Sequence, residues 1–280
     1  MTSSLRPDST VKTFTFFLFV MLAIVLAGCA PKVKWVGTPV DNEVGATLLQ
    51  QWRGRVSRVS TMQGIAKIQV ETAEGSMNGG TQVLLAEKPD RLRAETLSLF
   101  GTPLLTLTAN GEALSVFTPT ENRFYTGSAT PTNLGRFVRI PLRLNDLVSI
   151  LLHQPPLIRA DSEQVFALNE EQGWLLVRRS GQRRQELRFD AQRNLRQLSY
   201  FDDEALFLDI GYGEFTADGN DFPQHFTIEI PELETFASLE FSELTINRQF
   251  LSTIFTLTPP AGVDVFDLDR ALPGPSDPER

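Results

Sequence analysis

The chain has one cysteine, Cys29, and two histidines, His153 and His225, in 280 residues. A single cysteine cannot build a disulfide framework, a Cys-x-x-Cys redox pair or a zinc cluster. Neither histidine lies in a nucleophile-elbow sequence, so Ser/His/Asp chemistry has no visible carrier. Carboxylates such as Glu186, Asp190 and Asp209 stand singly, without the spacing of an acid and base pair. The expectation is a protein that is not an enzyme and holds no metal or cofactor. Basic residues are sparse too: 26 Lys+Arg against 34 Asp+Glu give a net charge of -8. The short runs Arg178-Arg179 and Arg183-Arg184 fall short of the concentrated basic surface that phosphate binding needs, which excludes a nucleic-acid partner. What remains is an ordinary globular composition, 41% hydrophobic and 21% charged, with enough apolar residues for a large core.

The first 28 residues read as a leader. Arg6 and Lys12 precede an uncharged apolar run over 14–26, too short for a comfortable membrane span and matching the core of a signal peptide. The run closes on Leu26-Ala27-Gly28-Cys29, which resembles the bacterial lipobox. That resemblance implies cleavage before Cys29, a diacylglycerol on its sulfur and an acyl chain on its new amine; the alternative is a buried cysteine in a signal anchor. Such chains, at ~0.8 kcal/mol per buried methylene, anchor a protein without a transmembrane helix. Loss of the leader, with Arg6, Lys12 and Asp8, removes a net +1 and leaves -9 on the mature chain. Ala30 stands where an aspartate would mark inner-membrane retention in enteric lipoproteins, so the expected residence is the periplasmic face of the outer membrane.

Residues 29–41, with Pro31, Gly37 and Pro39, read as a lipidated tether. Val44, Leu48, Trp52, Val56 and Val59 then recur at helical spacing behind Asp41 and Asn42 as caps. Arg53, Arg55 and Arg58 lie off that stripe, as a solvated face or as a basic face for acidic headgroups or an acidic partner. From 64 onward the pattern turns to β. Candidate strands cover 64–71, 81–86, 91–97, 104–108, 113–118 and 123–125, then 164–168, 174–179, 184–189, 195–201, 206–212, 225–230, 238–246 and 254–257, divided by turn formers such as Lys88-Pro89-Asp90, Asn110-Gly111 and Ser180-Gly181. Between the two series, Asn145 or Asp146 caps a short helix in which Leu147, Ile150 and Leu151 share a face, ended by Pro155-Pro156. An antiparallel sheet of that size must curl. The expected fold is mainly β: a curled antiparallel sheet forming an unclosed barrel of about 11–13 strands, with an N-terminal helix and a short helical lid over its open side. Residues 42–270 form the domain and 271–280 a disordered tail.

This order of features resembles the LolA/LolB lipoprotein carriers, and within them the membrane-anchored acceptor LolB. The resemblance runs roughly from Trp52 to Asp269. It rests on Leu97-Ser98-Leu99-Phe100-Gly101, Arg139-Ile140-Pro141-Leu142, Leu198-Ser199-Tyr200, Ile210-Gly211-Tyr212 and Phe222-Pro223, and on Phe255 through Pro259-Pro260 to Gly262-Val263-Asp264-Val265. It implies an apolar cavity under a lid, lined from Leu147, Ile150 and Leu151, in which the acyl chains of a travelling lipoprotein are kept from water. A sixteen-carbon chain needs on the order of 10 kcal/mol of such shelter. It further implies a monomer that accepts acylated lipoproteins from a soluble periplasmic carrier and delivers them to the outer membrane. The acceptor's exposed leucine corresponds to Phe100, and its preceding proline to Leu99. Leu99, Phe100 and Gly101 therefore either form an acyl-insertion loop or tuck into the core at a strand end. The 20 phenylalanines, against three tyrosines and three tryptophans, suit a greasy lining or a plain β core. The alternative function is an envelope lipoprotein of the same fold that binds another lipid or glycolipid, or acts as a scaffold of an export system.

Overall fold

The computed structural model describes residues 37–168, 173–216 and 221–270. The leader, Cys29, tether residues 30–36 and the tail 271–280 lie outside the described residues.

Alternation of apolar and polar residues, broken by turn formers, produces fifteen strands in one sheet among the described residues. They are β1 (Thr38–Val40), β2 (Thr61–Thr72), β3 (Gly75–Glu87), β4 (Arg91–Leu97), β5 (Pro103–Asn110), β6 (Ala113–Thr118), β7 (Arg123–Ser128), β8 (Ser162–Leu168), β9 (Gly173–Ser180), β10 (Arg183–Phe189), β11 (Leu195–Asp202), β12 (Ala205–Phe215), β13 (Pro223–Ile230), β14 (Thr235–Ile246) and β15 (Asp264–Asp267). The spatial order is β1-β8-β9-β10-β11-β12-β13-β14-β2-β3-β4-β5-β6-β7-β15. All pairings are antiparallel except that of β15 with β7. The two sequence-consecutive series meet where β14 pairs β2, with Phe236 opposite Glu71 and Ile246 opposite Met62. Since β1 and β15 each have a single neighbour, the curled sheet does not close.

Period two fixes which face is buried. Leu92 and Ala94 of β4, Leu107 and Ala109 of β5, and Leu208, Ile210 and Tyr212 of β12 turn to the concave core. Because the sheet is a meander, its turns alternate between two ends. Those at 72–75, 98–102, 119–122, 180–183, 202–205 and 231–234 share one end, and those at 88–90, 110–113 and 190–194 share the other.

Three α-helices among the described residues cover the concave side. In α1 (Asn42–Val56), the Asp41 side chain caps the first turn by accepting from the Glu43 amide at 2.9 Å. Leu48, Leu49, Trp52 and Val56 are buried, and Gly45 lets the helix lie against β8, since a Cβ there would sit 2.6 Å from Val165 Cγ2. The lid consists of α2 (Pro131–Val138) and α3 (Leu144–Leu151).

Several expectations need correction. There are fifteen strands rather than 11–13, because the sheet gains two edge strands too short to show alternation. Thr38–Val40 belongs to the sheet and Asp41 to the helix cap, so 37–41 are part of the folded domain and not tether. Pro39 is tolerated there because an edge strand need not donate on both sides. Residues 254–257 are not a strand: the chain makes a 3-10 turn at Ser252–Phe255, and the Ile254 carbonyl is taken by Arg93 Nη1 at 2.8 Å instead of a ladder partner. Helix α3 begins at Leu144 behind Arg143, with no side-chain cap, which places Asn145 and Asp146 inside its first turn. An unexpected helix, α2, precedes it, capped by Thr130 and started by Pro131. Finally, α1 runs to the end of the sheet opposite the 98–102 turn, where Arg55 Nη2 donates to the Arg193 carbonyl at 2.5 Å.

Candidate functional site

The two faces of α3 border two different spaces. Leu147 and Leu151 turn toward β2–β5 and line, with Leu84, Leu92, Ala94, Leu107, Phe137 and Ile140, an apolar cavity of about 100 Å³. Ile150 turns the other way and, with Tyr200, Phe201, Leu206, Phe207 and Leu208, lines a groove of about 930 Å³ between the lid and β11–β12. The sequence places Leu147, Ile150 and Leu151 on one face; the fold makes α3 a partition with apolar residues on both sides. A 150 Å³ cavity holds a benzene, so the smaller space takes a fraction of a sixteen-carbon chain. The groove is of the size that small-molecule sites require.

The partition is fixed at one end. Gln154 Nε2 donates to the carbonyls of Val56 at 2.6 Å and Val59 at 2.9 Å. Tyr212 Oη donates to the Ile150 carbonyl at 3.2 Å, and Tyr200 Oη to that of Pro156 at 2.5 Å. Burial pushes both phenols above their ordinary range, with a charge from Asp146 adding to it for Tyr200, so each remains a neutral donor. At the other end the uncapped start of α3 carries Arg143 and Asp146 at the groove; desolvation raises the Asp146 carboxyl and the Arg143 charge opposes it. Helix α2 is tied separately, through Asn133 Nδ2 to Asp269 at 2.8 Å and Arg136 Nη1 to the Leu268 carbonyl at 3.2 Å.

His153, just past α3, is a structural residue. Its Nε2 faces the Leu195 carbonyl at 3.1 Å and so carries the proton, while its ring meets Trp52, Tyr212, Phe215 and Phe222. Burial outweighs the carbonyl and lowers its pKa to about 4. His225 pairs Ser238 at 3.1 Å on the convex face. The carboxylates considered singly in the sequence are each engaged separately: Glu186 with Arg184, Asp190 with Arg196, and Asp209 with Gln197 and Ser199. Among the described residues no group of three His, Cys, Asp or Glu side chains could hold a metal, and no helix is long and apolar enough to cross a membrane.

The 98–102 turn excludes a core placement of Leu99 and Phe100. Leu99 is 102% and Phe100 94% exposed. Their exposure is built in: Ser98 Oγ accepts from the amides of Phe100 at 3.2 Å and Thr102 at 3.1 Å, and the Gly101 amide returns to the Ser98 carbonyl at 2.9 Å. Gly101 sits at φ +77, the left-handed region where glycine is unstrained. The result is a tight turn that holds two large apolar side chains in water.

No protein-family model and no curated protein matches the chain. Similar solved structures exist. A DUF1329 family protein from Desulfovibrio piger aligns with a TM-score of 0.50 at 12% identity, over 76% of this chain and 96% of that one. A LolA superfamily protein from Nitrosomonas europaea aligns at 0.46 and 14% identity, over 76% and 97%. A domain named for outer membrane lipoprotein sorting, from Vibrio parahaemolyticus, aligns at 0.45 and 11% identity, over 77% and 97%. At such identity, the first of these likenesses carries a statement of fold alone: this chain shares its curled, unclosed antiparallel sheet with the Desulfovibrio piger protein.

Proposed function

We propose that the chain is a lipoprotein, acylated at Cys29, that accepts acylated lipoproteins from a soluble periplasmic carrier and passes them to the outer membrane, working as a monomer and without covalent chemistry. The observation that carries this reading is the pairing of a lidded apolar space with a turn that exposes Leu99 and Phe100. Each acyl methylene left in water costs ~0.8 kcal/mol. Cargo therefore moves only between apolar shelters, and the resting cavity must widen at the uncapped start of α3 to take a chain. The names of the Nitrosomonas and Vibrio structures agree with this theme.

A second reading, a lipoprotein that binds another lipid or glycolipid or serves an export system as scaffold, is favoured by the groove, where Arg143, Arg183, Asp146 and Glu232 surround an apolar floor. The two are separated by offering the mature chain a periplasmic carrier loaded with a triacylated lipoprotein and following the cargo by pull-down. Transfer of acylated cargo, and not of its unacylated form, is the expected result. Binding of a fluorescent fatty acid without cargo transfer would replace the acceptor reading with the second one.

A further inference from the structure

Eight large apolar side chains are exposed among the described residues: Leu99, Phe100, Leu104, Phe207, Leu233, Phe236, Leu251 and Val265. Their distribution is uneven. Loop 98–102 and Leu104 at the start of β5, Phe207 near the start of β12, Leu233 between β13 and β14, Phe236 near the start of β14, and Val265 opposite Phe124 near the start of β7 all lie at one end of the sheet. Only Leu251 lies apart from it. The opposite end is the one covered by α1 and the rings around His153. The groove also opens at the apolar end, since Asp202, Ala205, Pro231 and Glu232 line it.

From this arrangement we infer that the whole open end of the sheet, and not the Phe100 turn alone, is a docking surface for a lipid bilayer of zwitterionic headgroups. The inference rests on the reading above and extends it to Phe207 and Leu233. Two features select a bilayer over a protein. Apart from the adjacent Leu99 and Phe100, the apolar side chains are spread over different turns and strand starts, whereas a specific protein interface needs a contiguous patch of about 800 Å² per partner. A bilayer accepts any set of points that reach one plane, and amphipathic contacts bind it in proportion to the apolar area they sink. Charge then selects the headgroup. The turns at 202–205 and 231–234 carry Asp202, Asp203, Glu204, Glu232 and Glu234, all exposed; Glu204 is ion-paired with Arg179 and Arg184, and against the other four the only base within these turns and the one at 180–183 is Arg183. An acidic rim is repelled by an anionic surface and tolerated by a neutral one.

The test uses the mature chain, acylated at Cys29, reconstituted in phosphatidylcholine vesicles whose acyl chains carry bromine, a contact quencher of tryptophan. Phe100→Trp and Leu233→Trp report on the open end, and Gln192→Trp, exposed in the 190–194 turn, reports on the closed end. Expected is loss of most of the added emission at 100 and 233, none at 192, and a smaller loss when phosphatidylglycerol replaces part of the neutral lipid. Quenching at 100 without 233 overturns the wider surface and leaves the insertion loop of the acceptor reading standing. Quenching at neither overturns both. Equal quenching at 192 and 233, stronger quenching with phosphatidylglycerol, or a concentration-dependent blue shift of Leu233→Trp without vesicles, which would mark a second copy as the occupant, each overturns the inference.

Discussion

The two ends of the sheet are made from the same kinds of residue and put them to opposite use. At the closed end, Trp52, Tyr212 and Phe222 are buried around His153, and α1 carries Trp52 into that cluster. At the open end, Leu99, Phe100, Phe207 and Leu233 stand in water. Burial of a large aromatic stabilises a fold by a few kcal/mol, and the same side chain in solvent adds nothing to it. The large apolar side chains of the closed end thus add to the core, while those of the open end are left outside it. A substitution therefore reads differently according to which end it touches.

The largest expected effect belongs to the closed end. Trp52, 2% exposed, contacts the His153 ring, and Trp52→Ala should cost ~3–5 kcal/mol, measured as a fall in the urea midpoint. A loss below about 1 kcal/mol would mean that α1 is not a structural closure. Next comes pH. The His153 pKa is about 4 in the folded chain against 6.5 for the free side chain. As pH falls through 6.5 the unfolded chain takes up a proton that the folded one refuses, so stability is lost between pH 6.5 and 4 and is complete above it. At ~1.4 kcal/mol per pKa unit the loss is about 3 kcal/mol. His153 sits at φ +59, a conformation asparagine tolerates. His153→Asn should therefore lower the baseline and abolish that part of the slope. An unchanged slope in parallel melts would place the titration elsewhere.

The closed end was also the more legible of the two in the sequence. The helical stripe through Leu48, Trp52 and Val56 and the capping Asp41 were visible in the spacing, as were thirteen strands, because turn formers punctuate them. The misreadings have local causes. Thr38–Val40 and Asp264–Asp267 are too short to alternate and hold their place only through a partner strand. Residues 254–257 have β propensity without a neighbour to pair with, and tertiary context overrides propensity. Helix α2 hides behind Pro131 and Gly135, although Thr130-Pro131 is a cap followed by proline at the first helical position, the signal that could have found it. The groove was invisible because it joins α3, β10–β12 and the turn after β13, which sequence separates. Leu99-Phe100 after a strand reads alike whether it is swallowed or displayed, and only the hydrogen bonds of Ser98 decide.

Those hydrogen bonds sharpen the comparison at the open end. Ser98→Ala removes an acceptor from two exposed amides that water can replace, so its expected cost is at most about 1 kcal/mol. It should also slow transfer of acylated cargo to liposomes by loosening the turn. Ser98→Ala with unchanged delivery would show that exposure of the pair, and not its fixed geometry, is what matters.

The smallest effect on folding is expected at Phe100. A side chain 94% exposed leaves little burial to lose, so Phe100→Glu should hold the urea midpoint within about 0.5 kcal/mol. If Phe100 enters lipid as proposed, the same change puts a charge there, and partition of a carboxylate into hydrocarbon is costly. On the acceptor reading, cargo uptake by the lidded cavity should persist while delivery to liposomes falls. Uptake and delivery lost together would put Phe100 in the binding site itself. Delivery unaffected would remove the turn from the transfer step and leave the open end without its insertion loop. The contrast with Trp52 is the point of the pair: one aromatic should govern stability with its exposure near zero, the other delivery with its exposure near complete.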